Sequence, residues 1–112
     1  MKQPGSTTMN VEWHEAEPLV DEQVSQERER AHAKHGETSM RHSHPLAERR
    51  FRILVEEVGE IAEAFNDRDH GKFADEFEFV EHLFEELIQV AAMASDWAIA
   101  LATLADVELQ AQ

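Results

Sequence analysis

The chain has 112 residues, of which 24 are Asp or Glu and 10 are Lys or Arg, so its formal net charge at pH 7 is −14. This length and an apolar content of 42% are typical of a single domain that can bury a modest core. The strong negative charge repels nucleic acid and anionic membranes, which argues against either of them as a partner.

Cysteine is absent from the sequence, which excludes disulfides and thiolate metal sites. Any bound metal must therefore use oxygen or imidazole ligands. The N-terminus lacks a basic segment followed by an apolar run, and no stretch of about 18 apolar residues occurs, so we expect neither a signal peptide nor a membrane span. A cytoplasmic protein is the default expectation.

The first part of the chain predicts an arm and one helix. Residues 1–17 are polar and are interrupted by a proline and a glycine, which is typical of a flexible N-terminal arm. Pro18 suits the first turn of a helix and Gly36 suits its C-terminal cap, so helix 1 is predicted over 18–35. Its apolar stripe is thin, so this helix depends on packing against the others.

Two further helices are predicted after the loop "GETSMRHSHP". Helix 2 is predicted over 46–66 and helix 3 over 73–105, with turn residues between them. Residues 90–104 are apolar nearly all round the helix, which is more than two partner helices of one small chain can cover. We therefore expect an all-α fold, a bundle of three main helices per chain completed by oligomerisation. The helical domain is predicted over 18–106 and a C-terminal tail over 107–112.

Helix 2 combines an apolar sector with carboxylates at its border. One sector of "ILVEEVGEIAEAF" should face a core: Leu54, Val58, Ile61 and Phe65. Glu57 and Glu60 fall on the flank beside this sector, close together on one side of the helix. Two carboxylates at such a border repel each other and resist desolvation, so a positive group should compensate them.

Helix 3 repeats this pattern. Glu86 falls well inside its apolar surface and Gln89 falls at the edge. Three carboxylates and an amide oxygen that converge between two helices form a site for a hard divalent cation, Mg²⁺ or Mn²⁺. In the alternative interpretation, the glutamates lie at helix edges, where they reach water or pair with Arg49, Arg50 or Arg52.

Two motifs connect this pattern to a known superfamily. The segment "EEVGE" at 56–60, then 25 intervening residues, then "ELIQ" at 86–89, resembles the paired EExxE and ExxD motifs of the MazG-like all-α nucleotide pyrophosphohydrolases. The segment "ERERAHAKHG" at 27–36 resembles the first-helix signature of a small single-domain branch of that superfamily. The similarity covers roughly residues 24–102. Members typically hydrolyse (d)NTPs or related nucleotides to the monophosphate and pyrophosphate with Mg²⁺, as dimers or tetramers of helical subunits.

The resemblance implies metal ligands at Glu57, Glu60 and Glu86. Gln89 stands where the superfamily usually has Asp; its amide oxygen can still coordinate, but the ligand set loses one negative charge. Glu56 is the first Glu of the motif and points away from the other two. It could hold a second metal or orient the attacking water, and its alternative is a solvated surface residue.

The resemblance and the positive charges also suggest substrate contacts. Candidates for phosphate contacts are Lys34 and the basic cluster Arg49, Arg50 and Arg52. His35 could stack on a base or interact with the helix dipole, and Trp97 could line a base pocket or belong to the core. The remaining histidines offer a separate alternative, a Zn²⁺ or Ni²⁺ site: His32 with His35, and His42 with His44.

Two hypotheses follow. The first is a metal-dependent nucleotide pyrophosphohydrolase that cleaves (d)NTPs to (d)NMP and pyrophosphate, with house-cleaning of non-standard nucleotides as one candidate role. The second is a non-catalytic helical oligomer that acts as a nucleotide-binding or regulatory module, for which Gln89 in place of Asp is the main support. Three carboxylates at partly apolar positions favour the enzyme, because a scaffold without metal would gain stability by replacing them. In both hypotheses we expect a homodimer, which could pair further into a tetramer.

Overall fold

The computed structural model describes residues 11–36 and 39–104, and over these residues it is all-helical, without strands. This confirms the predicted all-α class. A short 3₁₀ turn lies in the connection between the first two helices. The elements in chain order are α1 (Trp13–His35), the 3₁₀ turn (Met40–His42), α2 (Glu48–Asp69) and α3 (Glu76–Leu104).

Helix α1 begins at Trp13, whereas the sequence predicted its start at residue 18. Its first turn is closed by Glu12, whose backbone N–H donates to the carboxylate of Glu15 at 3.0 Å. Pro18 therefore lies inside the helix, and it was wrong to take this proline as the start. Residues 13–17 are helical, so the predicted flexible arm is shorter by these residues at least.

The other helix ends agree better with the sequence. Gly36 has a φ of 54° and its N–H donates to the carbonyl of His32, so the predicted C-terminal cap of α1 is confirmed. The ends of α2 and α3 lie within about three residues of their predicted positions. The rest of the predicted arm, residues 1–10, and the predicted tail, 107–112, lie outside the described residues.

Helix α3 is the centre of the fold. Both α1 and α2 pack against it, and so does the 3₁₀ turn. Phe79 of α3 is buried and makes edge-to-face contacts with Phe65 of α2 and with Phe73, which precedes α3. In contrast, none of the residues of α1 is buried, so this helix covers α3 without inserting a side chain into the core.

The apolar sector of α2 that was predicted to face a core is only partly covered. Val58 is 48% exposed and Phe65 is 40% exposed. The more covered flank is the neighbouring one, where Ala64 is buried and Ile53 and Glu57 are half-buried. Leu54 and Ile61 of the predicted sector are half-buried too, and Glu60 on the neighbouring flank is exposed. The covered surface of α2 thus lies along the border between the two, and the apolar arc is wider than the contact with α3.

Two rows of exposed apolar residues run along the α2–α3 hairpin. Their members recur at alternating steps of three and four, which is the heptad spacing of helices that pack against other helices. We call them the α2 seam and the α3 seam. The α2 seam is Phe51, Val55, Val58, Ala62 and Phe65, and the α3 seam begins with Phe77, Val80, Phe84 and Leu87, all exposed.

By length and composition alone, α3 is apolar enough to cross a membrane, although only 11% of its most apolar window is buried within the chain. The central helix of a helical oligomer has the same composition, so this property does not fix where the protein resides. The low burial agrees with the expectation that one chain cannot cover this helix.

Candidate metal site

Three glutamates converge where α2 packs on α3. Glu57 and Glu60 lie one turn apart on α2, and Glu86 lies on α3. One carboxylate oxygen of each lies within 4.8 Å of the others. The helical spacing of three residues aligns the first two on one face, and the packing of the hairpin brings the third opposite them. We call these residues the carboxylate cluster.

Two of the three glutamates are covered, unlike an ordinary acidic surface: Glu60 is exposed, but Glu57 is half-buried and Glu86 is buried. Glu86 is only 8% exposed, and its Oε1 is buried without a hydrogen-bond partner among the described residues. The Oε1 of Glu57 is also buried and has no partner there. The nearest basic group in the described ion pairs is the Nε2 of His82, 3.6 Å from the Oε2 of Glu86. Buried oxygens without partners cost free energy, and a bound cation would remove that cost.

The same environment raises the pKa of Glu86. Burial is the largest cause, because it disfavours the ionised carboxylate. A hydrogen bond with Glu60 and the negative charges of Glu60 and Glu57 raise the pKa further, and His82 opposes them. Glu86 therefore keeps its proton to a higher pH than an isolated glutamate does.

Glu57 has a raised pKa for related reasons. Burial is again the largest cause, followed by the charges of Glu60, Glu27 and Glu56. Glu27 belongs to α1, so a fourth carboxylate from a third helix lies near enough to act on the cluster. The sequence interpretation did not single out Glu27. This residue begins the "ERERAHAKHG" stretch, which was quoted only for its resemblance to the first-helix signature.

The donor set fits a hard divalent cation. Mg²⁺ holds its oxygen ligands at about 2.1 Å, which puts neighbouring ligand oxygens about 3–4 Å apart. Oxygens that already lie within 4.8 Å of one another need only small side-chain movements to reach that spacing. No histidine belongs to a comparable group among the described residues. The rings of His32 and His42 lie 5.6 Å apart, and the Nδ1 of His32 lies 2.8 Å from the Oγ of Ser39.

A cavity of about 420 Å³ adjoins the cluster and is lined by Glu57 together with residues of all three helices. Several predicted site residues meet at its wall: Glu56, Gln89, Lys34 and His35. Gln89 is half-buried at this wall. The metal-ligand role of Gln89 and the catalytic role of Glu56 stay predictions. Both residues line the same cavity.

Two predicted substrate residues lie elsewhere. Arg52 is exposed on α2 and is not among the residues that line the cavity. Trp97 is half-buried and donates its indole N–H to the carbonyl of Pro45 at 2.8 Å, which ties α3 to the loop before α2. The structure therefore gives Trp97 a structural contact, and its predicted place in a base pocket has no support from these contacts.

Cations gather at the cavity far more than sequence inspection indicated. Of the 10 Lys and Arg residues of the chain, five line this one cavity: Arg28, Arg30, Lys34, Arg41 and Arg49. Arg28 binds Asp96 of α3 at 2.6 Å, so this ion pair also joins α1 to α3. Four carboxylates line the same cavity, Glu27, Glu56, Glu57 and Asp96, and Arg28, Arg30 and Arg41 already pair with carboxylates. Positive and negative groups therefore nearly balance at this wall in a chain with a net charge of −14, and an anionic ligand that enters the cavity would compete with these ion pairs.

Comparisons with protein-family models, with curated proteins and with solved structures each find no match to this chain. The resemblance to the MazG-like superfamily therefore depends on the quoted sequence motifs alone.

Proposed function

We propose that the protein is a metal-dependent nucleotide pyrophosphohydrolase of the MazG-like type, which cleaves (d)NTPs to (d)NMP and pyrophosphate. The observation that carries this proposal is the carboxylate cluster, above all Glu86, which is buried with an oxygen that has no partner among the described residues. A helix that gains nothing from such a carboxylate would be more stable with an apolar residue there.

The residues divide into two groups by charge. Glu57, Glu60 and Glu86 would hold Mg²⁺, or Mn²⁺ in its place, with Gln89 as a further oxygen ligand. A bound divalent cation would offset the negative charge of the phosphates and help the reaction at the α-phosphorus. Lys34 and the arginines that line the cavity are the candidate phosphate contacts. Arg28, Arg30 and Arg41 would have to leave their carboxylate partners to serve as such.

Glu56 is the residue we assign to the attacking water. It lines the same cavity as Glu57 and is exposed, so water reaches its carboxylate. A carboxylate in this place can accept a hydrogen bond from water and hold that water near a phosphate group. His35, on the α1 side of the cavity, is the candidate contact for the base.

The active protein is proposed to be a cytoplasmic homodimer, which could pair further into a tetramer. The α2 and α3 seams support the dimer, because both are exposed and both have heptad spacing. A second antiparallel hairpin of the same kind would complete a four-helix bundle and cover both seams.

A second candidate function is a non-catalytic nucleotide-binding module. The observation in its favour is Gln89, whose amide has one charge less than the carboxylate expected at this position. In this case the cluster would bind a nucleotide through a cation without turnover.

The deciding experiment measures pyrophosphate release from a panel of canonical and modified (d)NTPs with Mg²⁺ or Mn²⁺. The proposal expects metal-dependent release by the wild type and at least a hundredfold loss in Glu57→Gln, a size typical of catalytic groups. Glu63→Gln is the matched control, because Glu63 is an exposed glutamate of the same helix outside the cluster. Nucleotide binding without pyrophosphate release would favour the binding module instead.

A further inference from the structure

Glu27 of α1 is held by a neighbouring arginine at the border of the carboxylate cluster. The Nε of Arg30 donates to one carboxylate oxygen of Glu27 at 2.8 Å, and its Nη2 donates to the other at 2.5 Å. Both residues line the main cavity with Gln89, and all three also line a second cavity of about 320 Å³. The pair thus lies at the boundary between the two cavities.

This ion pair differs from the usual exposed pair along one helix. The side chain of Glu27 is only 17% exposed, whereas that of Arg30 is 57% exposed. The carboxylate is therefore mostly covered and lines the same cavity as Glu57, whereas most of the guanidinium is open to solvent. A surface pair of this spacing stabilises a helix by only about 0.3–0.5 kcal/mol, which gives no reason to turn the carboxylate toward other carboxylates.

The carboxylate cluster has too little positive charge around it to stabilise buried, ionised carboxylates. Glu86 is more than nine-tenths buried with an unpartnered Oε1, and Glu57 has a second such oxygen. In the described ion pairs, Arg30 neutralises Glu27 and only His82 approaches the cluster. Gln89 provides no charge at the fourth ligand position of the motif. A carboxylate from α1 would restore the charge that this amide lacks.

We propose that Glu27 is a fourth carboxylate ligand of the cation at the cluster, and that Arg30 leaves Glu27 for a phosphate oxygen when an anionic ligand enters the cavity. This inference depends on the proposed metal site and goes beyond it, because both residues lie outside the two ligand motifs at 56–60 and 86–89, and the resemblance of the first-helix stretch that contains them implied no metal role for either. The exchange couples the two ligands: a phosphate removes the arginine from Glu27, and the freed carboxylate strengthens cation binding.

The experiment measures Mn²⁺ affinity of the full chain by the electron paramagnetic resonance of free Mn²⁺, so that it does not depend on turnover. Glu27→Gln should weaken Mn²⁺ binding about tenfold, because one charged ligand is lost. Arg30→Gln should tighten it, because Glu27 is no longer held. The double variant should match Glu27→Gln, since Arg30 acts only through Glu27. Glu29→Gln is the matched control: Glu29 is an exposed glutamate of α1 that also pairs with an arginine, Arg41, and its variant should leave Mn²⁺ affinity unchanged.

Inorganic phosphate provides the second arm. It should tighten Mn²⁺ binding by the wild type, after correction for the Mn²⁺–phosphate complex, and should do so less in Arg30→Gln, where only the direct attraction between phosphate and cation remains. If Glu27→Gln binds Mn²⁺ like the wild type while Glu57→Gln does not bind it, the role of Glu27 is refuted and the proposed metal site survives. If the wild type itself does not bind Mn²⁺, both proposals fail.

Discussion

Glu86 makes the stability of the protein depend on pH. Because the pKa of Glu86 is raised in the folded chain, the folded state binds its proton more tightly than the unfolded state. This contribution is fully present below the unfolded pKa and is lost as the pH rises through the folded pKa. Without metal, Glu86→Gln should therefore be more stable than the wild type near neutral pH, by roughly 1 kcal/mol. Thermal unfolding at a series of pH values measures this difference.

The difference between wild type and Glu86→Gln should shrink as the pH falls below the ordinary pKa of glutamate, because the wild-type carboxyl is then mostly protonated in both states. Glu81→Gln changes an exposed glutamate of the same helix and serves as the control. A lower stability of Glu86→Gln at neutral pH would mean that Glu86 forms a favourable interaction as an anion, contrary to its described surroundings.

Gln89 offers a second test at the level of single residues. Gln89→Asp adds a carboxylate at the cavity wall, so Mg²⁺ should bind about tenfold more tightly, which is about 1.4 kcal/mol. The same change should destabilise the protein without metal, because another negative charge then lies near the cluster. Titration of Mg²⁺ against thermal unfolding measures both effects. An unchanged Mg²⁺ midpoint would remove Gln89 from the metal site.

The connection between α1 and α2 is fixed by two side chains of the helices around it. Arg50 is 1% exposed and donates to the carbonyls of Ser43 and His44, and Trp97 donates to the carbonyl of Pro45. The carbonyl of His44 also accepts from the backbone N–H of Ala47, so this end of the loop is held by a side chain and by the main chain. The loop is thus held against α2 and α3 although it has no regular structure beyond the 3₁₀ turn.

The loop contacts give a prediction for Trp97. Trp97→Phe keeps an aromatic ring but loses the hydrogen bond to Pro45, so the free energy of unfolding should fall by about 1–2 kcal/mol. Trp13→Phe is the matched control, because Trp13 is 83% exposed and its truncation should change stability by less than about 0.5 kcal/mol. Chemical denaturation of the three proteins provides the comparison. Equal stabilities would mean that the bond to Pro45 contributes nothing.

The helices could be predicted because apolar periodicity and helix-terminating residues can be identified within each short segment of the sequence. The start of α1 could not, since Pro18 suits a first turn and the closing contact between Glu12 and Glu15 uses residues that look like ordinary surface. The helical periodicity of α2 predicted which residues form its apolar arc. It could not predict which part of that wide arc contacts α3. Glu27 was missed because its proximity to Glu57 arises from the packing of α1, which sequence spacing does not contain.

At the scale of the whole molecule, the two seams predict the assembly. We expect the wild type to sediment as a dimer at micromolar concentration. Phe84→Asp should shift it toward monomer, because a charge in the centre of the α3 seam would be buried without a partner. Leu46→Asp is the control: Leu46 is 70% exposed in the loop and lies outside both seams. Sedimentation velocity distinguishes the two states.

A folded monomer of the wild type would refute the seams as an interface. A dimer that Phe84→Asp leaves intact would instead place the interface elsewhere, for example along residues 90–104, where the sequence first suggested it. The carboxylate cluster lies on α2 and α3, the same two helices that carry the seams. The position of the dimer interface therefore decides how near the partner subunit comes to the metal site.

The absence of buried residues in α1 has a consequence for motion. A helix without core side chains, tied to α3 by the ion pair of Arg28 with Asp96, should detach at a small fraction of the free energy of global unfolding. Its amide protons should then exchange with solvent earlier than those of α3. Because α1 provides one wall of the cavity, each such opening gives a bound anion a way out. The residence time of the bound anion and the protection of the α1 amide protons would then both depend on how often α1 detaches from α3.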